Sequence, residues 1–247
     1  MNELPHISAS KLKTYKTCNR QYYYKYIAPP VSQESEERNV GALIGTALHK
    51  AIETYYKKKI NPAITFQAMI HSIYDEWELQ GYTIKGEEWL SKNVKEGKQM
   101  LKDMQFDAFH PTALELHFSL PFPNEQEPIA LMTGYIDLVD EVAYIIADHK
   151  SQRKVPAQDQ LDNDAQFIIY YWAFEQLYKN APQRIYWNHL RTSTLIEVNI
   201  ANNYEDKLQQ LTADVQAMLQ NTHYARINLG DVCKKECAFY NLCFTGN

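Results

Sequence analysis

Apolar positions along this chain recur with two periods, and the change of period divides it. From Gly41 to Lys59, Leu43, Ile44, Ala47, Leu48, Ile52 and Tyr55 or Tyr56 return every three or four residues. That spacing gathers them on one face of a helix. Ile64 to Leu79 repeats the pattern with Phe66, Met69, Ile70, Ile73 and Trp77. Glu87 to Phe109 reads as a further helix, stopped by Pro111. Then Leu114, Leu116, Phe118 and Leu120 alternate, as in a half-buried strand. Leu131 to Val139 and Val142 to Ala147 read as strands joined by an Asp140-Glu141 hairpin. Asp159 to Lys179 is again helical, Arg184 to Leu190 and Leu195 to Ile200 are two more strands, and Tyr204 to Gln220 is a long helix. At the front, Ser8 to Ile27 reads as one basic, tyrosine-rich helix, capped by Ser8 or Ser10 and ended by Pro29-Pro30. The order predicts an α/β fold, one domain over residues 1–247, with a helical insertion at about residues 61–110.

Composition narrows the class. A chain of 247 residues with 45% hydrophobic positions is not disordered. No apolar run approaches the roughly 20 residues of a membrane span. Met1 to Lys13 lacks the apolar centre of a secretory signal, so an intracellular, cytoplasmic chain without a membrane partner is expected. The net charge of −5 excludes a uniformly basic coat. An anionic partner would meet a local patch, drawn from Lys11 to Lys25, Lys57 to Lys59 and Arg153-Lys154. Tyr22, Tyr23, Tyr24 and Tyr26 interleave with the first of these, as suits stacking on unpaired bases or plain packing.

The chemistry concentrates in Asp137 and in Asp148-His149-Lys150, at the ends of apolar strands. Charges rarely sit there unless paired or bound to metal. Two aspartates are a minimal Mg²⁺ or Mn²⁺ site, and a lysine beside them can orient a water. Register argues against a shared ion. A two-residue loop pairs Val139 with Val142 and Asp137 with Tyr144. Asp148 then lies on the same face but roughly 13 Å further along the strand. A bulge or a longer loop would be needed. The alternative is a surface hairpin with scattered charges.

Other residues complete a pattern. Gly134-x-x-Asp137 is followed by Asp148-x-Lys150. Gly45-Thr-Ala-Leu-His49 precedes them, and Gln166-Phe-Ile-Ile-Tyr170 follows. The chain opens with Ser8-Ala-Ser-Lys-Leu-Lys-Thr-Tyr-Lys-Thr-Cys18. In this order the motifs resemble the PD-(D/E)XK nuclease superfamily and its RecB-like members. The resemblance implies a restriction-endonuclease-like central mixed sheet flanked by helices, and an Mg²⁺- or Mn²⁺-dependent deoxyribonuclease. It implies that Asp137, Asp148 and His49 are metal ligands, with the His149 carbonyl as another. Lys150 would position the nucleophilic water, and Gln166 and Tyr170 would orient the site or contact DNA. Glu115, on the preceding strand, is a weaker candidate for an outer carboxylate.

The four cysteines stand apart from this site. Cys18 is early, and Cys233, Cys237 and Cys243 cluster near the end. Inside a cell, clustered thiols point to metal rather than to disulfides, and four thiolates suit zinc or iron–sulfur. One early and three late cysteines resemble the iron–sulfur nucleases of the same superfamily, AddB-type enzymes and CRISPR-associated adaptation nucleases. The resemblance implies a 4Fe–4S cluster stapling the two chain ends together, with zinc as the alternative. The chain departs from that pattern in the three-residue gap after Cys233 and in Asn19 after Cys18. The implied role is an exonuclease on DNA ends or single strands in recombination or repair, as in stand-alone phage or bacterial enzymes that work with an annealing protein. Trimming of DNA before integration, beside CRISPR integrase subunits, is an alternative. A non-catalytic DNA-binding module of the same fold is another.

Overall fold

The computed structural model describes residues 3–30, 40–79, 87–226, 233 and 237–244. Its sheet is organised around one long strand with two different neighbours on one edge. The strands are β1 (His6–Ile7), β2 (Ala113–Phe122), β3 (Ala130–Asp140), β4 (Ile145–Lys150), β5 (Arg184–His189) and β6 (Thr194–Glu197). Strand β2 runs antiparallel along nearly all of β3. The other edge of β3 is shared. Strand β1 pairs in parallel at Leu131 and Met132, whereas β4 pairs antiparallel only from Leu138 to Asp140. Residues Thr133 to Asp137 lie between these ladders, so the sheet splits there. Beyond the split, β4 is parallel to β5, and β5 is antiparallel to β6. The result is a six-stranded mixed sheet.

Helices are α1 (Ala9–Thr17), α2 (Asn19–Tyr22), α3 (Val40–Lys58), α4 (Pro62–Leu79), α5 (Glu87–Asp103), α6 (Gln158–Asp162), α7 (Ala165–Tyr178), α8 (Tyr204–Gln220) and α9 (Tyr240–Phe244). Helices α1, α7 and α8 bury Leu12, Phe167, Trp172, Phe174 and Val215 against Met132, Ile136 and Trp187 of the sheet. Helices α4 and α5 pack on α3 around Leu48, Ile52, Phe66, Ile70 and Leu101. The helices expected as an insertion therefore share a second, smaller core with α3. At its centre a Cβ on Gly97 would overlap the Phe66 ring, so only glycine lets α4 and α5 approach this closely. No helix among the described residues is long and apolar enough to cross a membrane.

The structure corrects several boundaries. The front helix breaks at Cys18, whose extended backbone (φ −159°, ψ 114°) lets the thiol be buried, and Tyr23–Ile27 continues as a π-helix. Ser8 caps α1 by accepting the Lys11 N–H. The helix expected over residues 159–179 is two helices, because Asp164 starts α7 afresh by accepting the N–H of Gln166 at 2.9 Å. Strand β1 was not anticipated, being only two residues long. The hairpin loop is also longer than expected. Asp140 Oδ1 accepts the N–H groups of Val142 (3.0 Å) and Ala143 (2.9 Å), and Tyr144 takes a positive φ of 54°. Residues 141–144 all belong to the turn, and Val142, expected in a strand, is 80% exposed.

Candidate active site

That longer turn decides the site. With Leu138 opposite Ala147, the next step along the ladder sets Asp137 beside Asp148 rather than beside Tyr144. On the other side, Leu114 pairs with Leu138 and Leu116 with Ile136, which leaves Glu115 facing Asp137. Three carboxylates thus share one level across β2, β3 and β4. Glu115 holds a left-handed backbone (φ 50°), a strained conformation for a residue with a Cβ inside a strand.

Helix α3 supplies the cationic counterpart. His49 Nδ1 lies 3.4 Å from Asp137 Oδ1 and 3.6 Å from Glu115 Oε1. Its Nε2 donates to the His149 carbonyl at 2.9 Å. The second oxygen of Asp137 accepts the His149 N–H at 2.7 Å. Burial opposes a charge on His49, but its hydrogen bonds to the Asp137 and Glu115 carboxylates outweigh it and push the ring up to about 10. Burial likewise disfavours the Asp137 carboxylate, yet His49 holds it down to about 2. The ring is an imidazolium clamped between two carboxylates. Among the described residues, His49, Glu115 and Asp137 form the one group of three metal-type donors lying within 4.8 Å of one another.

Asp148 is 1% exposed. Its Oδ1 accepts from Gln166 Nε2 at 3.0 Å. Its Oδ2 lies 2.6 Å from Lys150 Nζ, with no aligned hydrogen bond. Burial pushes the Asp148 carboxyl up to about 6 despite Lys150. Burial would lower Lys150, but Asp148 and Asp137 outweigh it and keep the ammonium charged. Gln166 also donates to the Tyr170 hydroxyl at 2.7 Å. Tyr170 in turn donates to the Tyr135 carbonyl at 2.6 Å, a group exposed where the sheet splits. One helical turn of α7 thus satisfies the split edge and holds Asp148 in place. The side chain of His149 is separate from this work. Asn188 Nδ2 donates to its Nδ1 at 2.9 Å, and burial pushes the ring down to about 4, so it stays neutral.

The residues fit a hard divalent cation. One imidazole nitrogen and one carboxylate oxygen each from Glu115 and Asp137 lie within 4.8 Å of one another, and a buried Asp148 oxygen lacks an aligned donor. The structure brings together Asp137, His49, the His149 carbonyl and Glu115. It sets Asp148, Lys150, Gln166 and Tyr170 directly beside them. Glu115 belongs more firmly to the site than its alternating strand suggested. Its left-handed backbone carries no signal in residue type.

The cysteines form a second locality. None of the four forms a disulfide, and Cys18 and Cys233 are buried. Burial raises the Cys237 thiol, and Cys18 and Cys233 add to the effect. Burial raises Cys243, with Cys237 and Cys18 adding to it. The thiols are therefore within electrostatic reach of one another. The tyrosines nearby are used in packing. Tyr22 stacks on Tyr224 at 6.2 Å, Tyr23 meets Tyr224 at 5.1 Å and Tyr24 meets Phe239 at 5.6 Å. These rings join the front of the chain to its tail instead of presenting free faces to bases. The expected basic patch is also partly neutralised, with Lys16 bridged to Asp214, Lys57 to Glu53 and Arg153 to Glu96.

A mixed sheet flanked by helices, splitting beside buried acidic groups with a lysine two residues after the second aspartate, has the form of a restriction-endonuclease-like fold. A model of the PD-(D/E)XK nuclease superfamily matches residues 6–244, and the chain belongs to that superfamily. Membership implies a metal-dependent nuclease acting on nucleic acid. Comparison with the curated proteins found no match.

Proposed function

We propose that the chain is a deoxyribonuclease that uses Mg²⁺ or Mn²⁺, degrades DNA from ends or along single strands, and carries a 4Fe–4S cluster on its four cysteines. The observation that carries the catalytic reading is the single level of Glu115, Asp137 and Asp148 with Lys150 beside it. His49, Glu115, Asp137, Asp148 and the His149 carbonyl would hold the divalent ion. When bound, that ion polarises the phosphate and lowers the pKa of its water.

The chain's own residues do the rest. Lys150 stays protonated beside Asp148, so it donates a hydrogen bond to the attacking water and meets negative charge as it develops on the phosphate. It does not act as a base in that state. Asp148 must ionise to balance Lys150, and Gln166 turns it toward the site. Tyr170 holds Gln166 and fixes the open strand edge. His49 must give up its extra proton to serve as a ligand.

For the cysteines, the support is their arrangement of one early and three late thiols, with Cys18 and Cys233 buried. Joining Cys18 to the tail would close most of the chain into one loop.

The test is digestion of linear and covalently closed circular DNA with Mg²⁺, Mn²⁺ or EDTA. Metal-dependent loss of nucleotides from the linear form alone supports the exonuclease reading. Equal cutting of the closed circle contradicts it, and binding without cutting in any metal points to the non-catalytic module.

A further inference from the structure

Helix α5 carries Lys95, Lys98 and Lys102 at steps of three and four residues. At about 100° per residue these fall within a sector about 60° wide. None of the three makes an ion pair among the described residues. Lys95 and Lys102 are exposed and Lys98 is half-buried. Together with Gln99, and with Gln67 and His71 across on α4, they line a groove of about 570 Å³.

Two acidic groups of the same helix have partners, whereas Glu88, seven residues before Lys95, is exposed in line with the lysines. Glu96 pairs with Arg191 at 3.0 Å and with Arg153 at 3.6 Å, and Asp103 accepts from Gln99. The Glu96 contacts also tie α5 to the catalytic strand. Arg191 Nε donates at 2.6 Å to the carbonyl of Ser151, the residue directly after Lys150. The lysine face is therefore fixed relative to the exit of β4.

The charge pattern selects the ligand. In a chain of net charge −5, three unpaired cations on one face of a groove are a local inversion of sign. From Lys95 to Lys102 the helix rises about 10.5 Å. One strand of duplex DNA passes a phosphate about every 3.4 Å along its axis, so the stripe spans about three phosphates. In the rest of the lining, Gln67, Ser91 and Gln99 offer neutral hydrogen-bonding groups beside His71 and the apolar Leu90 and Val94.

We propose that this groove of the α4–α5 insertion binds the phosphate backbone of the DNA substrate, outside the cleavage site. The proposal rests on the nuclease reading and gives the insertion its function. The experiment measures DNA binding by fluorescence anisotropy against KCl concentration. It compares the full-length wild type with Lys95→Gln/Lys98→Gln/Lys102→Gln and with the triple Lys→Arg variant. Circular dichroism confirms that each variant is folded.

For a duplex, the glutamine variant is expected to lose about 0.9 per contact from the slope of log K against log salt, up to about 2.7 in total. The arginine variant keeps the wild-type slope. Equal slopes and affinities in the wild type and the folded glutamine variant would overturn the proposal and leave the groove to a protein partner. A wild type that neither binds nor cuts DNA would instead overturn the nuclease reading, and this assignment with it.

Discussion

His49 Nδ1 lies 3.4 Å from Asp137 Oδ1, and the two hold each other charged in a site that burial would neutralise. The imidazolium stands where a metal's charge is wanted. Binding of Mg²⁺ or Mn²⁺ to this nitrogen must therefore expel its proton. With the ring at about 10, close to one proton should be released per ion at pH 7. Calorimetric titration in two buffers of different ionisation enthalpy measures this, and His49→Ala should abolish the release.

The same pair sets a pH window for the metal-free protein. His49 is raised from 6.5 to about 10, so its contribution to stability is complete below about pH 6.5. That contribution is lost as pH rises toward about 10. Asp137 is lowered from 3.8 to about 2, so its contribution is complete above about pH 3.8 and is lost as pH falls toward about 2. Melting temperature in EDTA should hence decline on the alkaline side, and His49→Ala should flatten that decline.

Tyr170 supports the fold as well as the site. Tyr170→Phe leaves the part-buried Tyr135 carbonyl at the split edge without its donor and frees Gln166. A loss of about 1–3 kcal/mol is expected from urea denaturation. Cleavage should slow as Asp148 loses its orientation. A stability equal to wild type would show that the split edge is satisfied in another way.

Gly97→Ala tests the core of the insertion. The added methyl overlaps the Phe66 ring, and overpacking of this kind costs about 1–3 kcal/mol. Phe66→Leu in the same chain should recover part of it, measured by thermal melting.

The four thiols carry their own test. Protein purified without oxygen should be brown, with iron and acid-labile sulfide in equal amounts. Cys237→Ser should lose colour and melting temperature together. Colourless protein containing zinc would contradict the cluster.

The sheet-and-helix order was legible because two hydrophobic periods do not resemble each other. Leu114 to Leu120 alternate, and Leu43 to Ile52 recur as on a helix. The residues of the candidate site stood out as well, since carboxylates and lysine are unusual in apolar strands. Their geometry did not. It depends on Asp140 capping its own turn, which moves Asp137's partner from Tyr144 to Asp148, and Val142 disguises that turn as strand. Glu115 depends on a backbone angle that no side chain announces. The tyrosines near Cys18 left two readings open, stacking on bases or plain packing, because their partners Tyr224 and Phe239 lie some 200 residues later in the chain.

The most direct test is cleavage of end-labelled DNA with Mg²⁺ or Mn²⁺ by the wild type beside Lys150→Ala. The account expects metal-dependent digestion by the wild type and a rate at least about 10²-fold lower in the folded variant, with DNA still bound. Equal rates in the two proteins would contradict it.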